Sequence, residues 1–161
     1  MASHEVVSDA IIEDLILELS LASALPIGLH GRNLTYAASA ANSLAYYTSN
    51  MAPKQLKKLE HAIQPLLILL HADIDNPVSA KAALGLKILM ASRVCLLRFV
   101  ELNGLIVVSK ILDALMGFNM IDLKSASVHR SIVENCSVCY RYLILNIIYL
   151  HCPKFYFLCL N

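Results

Sequence analysis

Two stretches of the chain echo one another 42 residues apart. ANSLAYY begins at Ala41 and is answered by ALGLKIL at Ala83, while AIQPLLILL begins at Ala62 and is answered by GLIVVSKIL at Gly104. Self-similarity at a fixed period of a few tens of residues is what stacked helical units leave in a sequence, because each unit can close its core only against its neighbours. The echo therefore predicts an all-α chain built as a helical array.

Composition agrees with an array that has much apolar surface to bury. Of 161 residues, 58% are apolar and 16% charged, against roughly 45–50% and about 25% in ordinary soluble domains. Thirteen basic and twelve acidic side chains nearly cancel, which removes the field that drives non-specific nucleic-acid binding, so no nucleic-acid partner is expected. The one basic run, KQLKK at Lys54–Lys58, has no interleaved aromatic residue and reads as the solvated face of a short helix. The N-terminal stretch carries Glu5, Asp9, Glu13 and Asp14 where a secretory signal would carry basic residues. A cytoplasmic or nuclear location is expected, with reduced thiols at the five cysteines and no membrane partner. Glycosylation sequons at Asn33 and Asn135 then carry no weight.

Apolar spacing and backbone punctuation divide the chain into helices. Ser8 and Asp9 are capping candidates for a helix over 10–22 with Ile11, Leu15, Leu19 and Ala22 on its apolar line. Pro26, Gly28 and Gly31 end it, and a small-residue helix, suited to packing on both flanks, runs from Asn33 or Thr35 to Thr48. A shorter helix covers 51–62 with Pro53 in its first turn, and Pro65 is expected to begin the next, PLLILLH. Asn76 caps a helix that starts at Pro77 and is buried on two sides. Helices over 94–102 and 105–115 follow, joined by a left-handed turn at Asn103 and Gly104, and a last one runs from Leu123 past Cys139.

Short, medium and long helices thus recur in order. The expected division is a partial repeat at 8–50, a full repeat at 51–92 and another at 93–142, together one domain over 1–142. The remaining 143–161, LILNIIYLHCPKFYFLCLN, is a hydrophobic tail that loses the repeat character. Three origins are open for it: a membrane tail anchor, a segment covering the open end of the array, or a terminus made by translation past an exon end or a mistaken gene model.

The units resemble the armadillo repeat family, with HEAT repeats second. Ala62 and Gly104 fill the small position before that family's second helix, and its third-helix motif, close to AxxLxNL, is matched at Ala41–Tyr47, Ala83–Leu89 and Arg130–Cys136. The resemblance covers about 130 residues. It implies a right-handed α-solenoid, an armadillo-like superhelix of about two and a half repeats. It also implies a non-enzymatic scaffold that holds a protein or peptide partner on its concave face, with no small-molecule substrate. In that family the motif's asparagine grips an extended peptide, since an amide both donates to and accepts from a peptide group, and a tryptophan one turn earlier assists in some members. Here the asparagine position holds Tyr46, Ile88 and Asn135, the tryptophan position holds Asn42, Leu84 and Ser131, and the chain has no Trp. The candidate partner-binding residues are therefore Asn42, Tyr46, Ser131 and Asn135.

Arrays generally need three or more repeats to bury a continuous core, so the chain reads as a piece of a larger armadillo-repeat protein whose exposed end helices favour self-association. A second reading makes it a regulatory or localising segment of a larger kinase-like or cytoskeletal protein. Other chemistry is poorly represented. Cys136 and Cys139, with Cys152, Cys159 and His151, can be written as a zinc set, but the first pair falls on a helix and the second is split by six residues around Pro153. His4, His30, His61, His71, His129 and His151 have no metal-ligand spacing, while Asp73 and Asp75, like Glu13 and Asp14, sit beside helix ends. There is no phosphate-binding glycine loop or serine elbow, so no catalytic residue, metal or cofactor is assigned.

Overall fold

The computed structural model describes residues 8–24, 33–48, 51, 53–72, 74–117 and 123–151. Regular structure among them is helical throughout: α1 (Asp9–Ala24), α2 (Asn33–Thr48), α3 (Pro53–Lys58), α4 (Glu60–Ala72), α5 (Pro77–Leu89), α6 (Arg93–Glu101), α7 (Gly104–Gly117) and α8 (Leu123–His151). The loop with Pro26, Gly28 and Gly31 lies outside the described residues, as does 152–161 of the expected tail.

Local chemistry accounts for most of these boundaries. Ser8 caps α1, its Oγ accepting from the Ile11 amide at 3.4 Å, and Asp9 stands in the first turn, where a negative charge meets the positive end of the helix dipole. The buried line of α1 is Ile12, Leu19 and Ala22. Ile11, expected on that line, is exposed, because two adjacent isoleucines lie about 100° apart around a helix and only one can face the core.

Pro65 does not begin a helix. It is the sixth residue of α4, which starts at Glu60 after a single turn residue, Leu59. A proline there removes the hydrogen bond to the His61 carbonyl. The helix is retained because Leu59, Ala62, Ile63, Leu66 and Leu70 recur at helical spacing and all are fully buried. Each such leucine or isoleucine contributes roughly 1.5–3 kcal/mol on leaving water.

Asn76 caps α5 as expected: its backbone is extended, its side chain accepts from the Val78 amide at 3.0 Å, and Pro77 occupies the first turn. Ser79, also buried, donates from Oγ to the Leu69 carbonyl at 3.1 Å and so ties α5 to α4. The left-handed turn between α6 and α7 is made by Asn103, with φ 56°, and no glycine has positive φ among the described residues. Gly104 is small for a different reason. A Cβ at that position would stand 2.6 Å from the ring of Phe99, which is fully buried.

The helices pack in two rows. In one, α4 touches both α1 and α7; in the other, α5 touches both α2 and α8. The rows are joined through α1 with α2, α4 with α5, and α7 with α8, while α3 lies against α1, α4 and α6. α2 packs on α1 and α5 and leaves Asn42 and Tyr46 exposed, so it is less enclosed than its small residues suggested. A single buried apolar cluster runs from Ile12 through Leu44, Leu66, Leu86 and Phe99 to Leu143. α8 is 29 residues long and passes through the expected division at 143 without a break, with Leu143 in the core.

Candidate functional site

Asn42 and Tyr46 lie one turn apart on α2, both exposed, Tyr46 at 71%. The Tyr46 ring meets that of Tyr47 edge-on, with centroids 5.5 Å apart. Ser131 and Asn135 lie one turn apart on α8, the first half-buried and the second only 7% exposed. Asn135 Nδ2 donates to the Ser131 carbonyl at 2.8 Å and to Ser131 Oγ at 3.3 Å. Its amide nitrogen is thus engaged by its own helix, and no described donor reaches its Oδ1.

Each pair of candidates is brought together on one helix, and α5 lies between the two helices. Leu84 and Ile88, which hold the corresponding motif positions on α5, are half-buried. The open sides of this row are electrically uneven. α2 and α5 contain no acidic residue, and Lys81, Arg130 and Arg141 are exposed while Lys87 is half-buried. Against these stands Glu134, exposed on α8.

Two polar connections have no local signature in the sequence. Asp75 Oδ1 stands 2.6 Å from His129 Nε2, linking the turn ahead of α5 to the first half of α8 across 54 residues, and the histidine is buried. Lys58, from the run read as a solvated face, pairs with Asp9 at 3.0 Å and Glu13 at 2.6 Å, and Gln55 donates to Asp9 at 2.9 Å. These contacts fasten α3 to α1. The Gln55 hydrogen bond, followed by those of Lys58, holds the Asp9 carboxyl below its usual range. Glu13 and then Asp9 hold the Lys58 ammonium above its own.

Cys136 and Cys139 are buried on α8, and burial pushes both thiols up to about 12. Cys95, also buried, is raised to about 11 by the same cause. A thiol held in its protonated form is a poor nucleophile and a poor metal ligand. No group of three His, Cys, Asp or Glu side chains able to hold a metal occurs among the described residues; Cys152 and Cys159 lie outside them. Among the described residues no helix is long and apolar enough to cross a membrane.

Comparison of the chain with family models, with curated proteins and with solved structures finds no match.

Proposed function

We propose that the chain is a non-enzymatic protein-interaction module, an armadillo-like right-handed solenoid of about two and a half units that binds an extended acidic peptide across α2, α5 and α8. The observation that carries this reading is the uneven charge of that row, whose helices carry Lys81, Lys87, Arg130 and Arg141 against Glu134, with Asp75 in the turn ahead of α5 engaged by His129. Complementary charge of this kind sets register and speeds encounter more than it adds raw affinity. Tyr46 supplies an aromatic platform at one side. At the other, Asn135 is buried with its Nδ2 held by Ser131, so it supports this face from beneath.

The test is fluorescence anisotropy of labelled extended peptides that differ in Asp and Glu content, at low and high salt. Acidic peptides should bind best and weaken with salt, and Lys81→Glu or Arg130→Glu should each weaken binding by about tenfold. If acidic and neutral peptides bind alike, or the reversals change nothing, the assignment of this face is wrong.

A further inference from the structure

We propose that copies of the chain stack head to tail, with α1 of one copy seated against α6 and α7 of the next. The chain already makes this kind of contact twice, since α1 packs on α4 and α4 packs on α7. At the two ends of the row no further described helix follows, and the outward sides carry exposed apolar residues. On α1 the side turned from its buried line carries Leu17, 57% exposed, and Leu21, 60% exposed. On α7 the corresponding outward position is Ile106, 54% exposed, and on the neighbouring α6 it is Leu97.

The echo shows what is missing there. Ile63 on α4 is fully buried, whereas Leu105, its counterpart 42 residues later on α7, is 38% exposed. α4 has α7 on its far side, whereas among the described residues no helix packs on the corresponding side of α7. Singly exposed leucines are ordinary on protein surfaces, but two apolar ends on one short array mark association sites.

Charge selects a second copy as the occupant and sets its direction. α1 carries Asp9, Glu13, Asp14 and Glu18 and no basic residue. Lys58 engages Asp9 and Glu13, while no described cation reaches Asp14 or Glu18. At the other end Arg93 and Lys110 are exposed and no described acid engages either, while of the exposed acids there Glu101 is held by Arg98 and Asp113 stands alone. The head is thus acidic and the tail has cations to offer, so head-to-tail pairing is attractive and head-to-head pairing repulsive. Because the two surfaces differ, the contact is heterologous and does not close at a dimer. It uses the ends of the row and leaves the α2–α5–α8 face free, so it stands or falls separately from peptide binding.

Sedimentation equilibrium of the full chain tests it. The weight-average mass should rise with concentration past that of a dimer. A head-blocked variant, Leu17→Lys with Leu21→Lys, and a tail-blocked variant, Ile106→Glu with Lys110→Glu, should each be monomeric alone, and their mixture should form a one-to-one dimer and nothing larger. The altered residues are exposed, and far-ultraviolet circular dichroism of each variant checks whether helix content is kept. Should a blocked pair lose helix content, the single exchanges Asp14→Lys and Lys110→Glu replace it: each should weaken self-association, and mixing them should restore it. A wild type that stays monomeric at all concentrations, a blocked variant that still dimerises, or a mixture that does not assemble would overturn the proposal.

Discussion

His129, on the first half of α8, places its Nε2 2.6 Å from the Asp75 carboxylate in the turn ahead of α5. The ring is buried and the carboxylate is largely exposed, so the hydrogen bond runs from the packed interior to the edge of solvent. Neither side chain rests on this contact alone. Losing a buried polar partner of this kind costs about 2 kcal/mol, and His129→Ala should destabilise the chain by that order, with Asp75→Ala costing less. A double-mutant cycle followed by urea unfolding should give a coupling of about 1 kcal/mol. Strict additivity would mean that the pair contributes nothing to the docking of α8.

Gly104→Ala should destabilise by about 1–3 kcal/mol, because the added methyl would lie 2.6 Å from the Phe99 ring. Phe99→Leu removes part of that ring and should relieve the clash. The double variant should therefore melt at a higher temperature than the two single losses, added together, would give.

The thiols predict a loss of stability in alkali. Cys136 and Cys139 keep their protons in the folded chain up to about 12, whereas in the unfolded chain they ionise near the ordinary thiol value of about 8.5. Above that value the unfolded state binds fewer protons, so stability falls as pH rises towards 12, by at most about 1.4 kcal/mol per pH unit for each thiol. Below it the contribution is fully present. Urea unfolding between neutral and high pH should show this slope, and the double variant Cys136→Ala, Cys139→Ala should flatten it.

The Lys58 pairings should matter only modestly, since Asp9 and Glu13 are exposed and Lys58 is partly so, and pairs open to solvent are screened by salt. Lys58→Ala should lower the melting temperature slightly at low ionic strength and not at high. The depressed Asp9 carboxyl contributes stability above the ordinary carboxylate range and loses it as pH falls. The raised Lys58 ammonium contributes below its ordinary range and loses it as pH climbs through the folded value. The difference between wild type and variant should accordingly be widest near neutrality and vanish in strong acid.

Order and type of the helices were legible because their signals are local. The Asn76–Pro77 cap and the left-handed Asn103 each need only a few neighbouring residues to be recognised. Pro65 misled for the same reason: as a first-turn residue it marks a start, and only the burial of Leu59, Ala62 and Ile63 ahead of it explains why α4 begins earlier. The choice between Ile11 and Ile12 depends on how α1 is rotated against its neighbours. In the candidate site, motif position located Asn42, Tyr46, Ser131 and Asn135 on their helices, but the depth of Asn135 depends on how α8 is turned against α5 and α7. The Asp75–His129 contact is made by tertiary packing alone and leaves no periodicity to read.

α8 is more than twice as long as α5, the helix along which it packs. At a rise of 1.5 Å per residue the two measure about 43 and 20 Å, so roughly 23 Å of α8 runs past α5, shared between the two ends of the longer helix. α8 is thus a lever whose fulcrum is the α5 contact. A load at its far end reaches the stacked helices as torque, and the His129–Asp75 link, on the short arm, is placed to resist it.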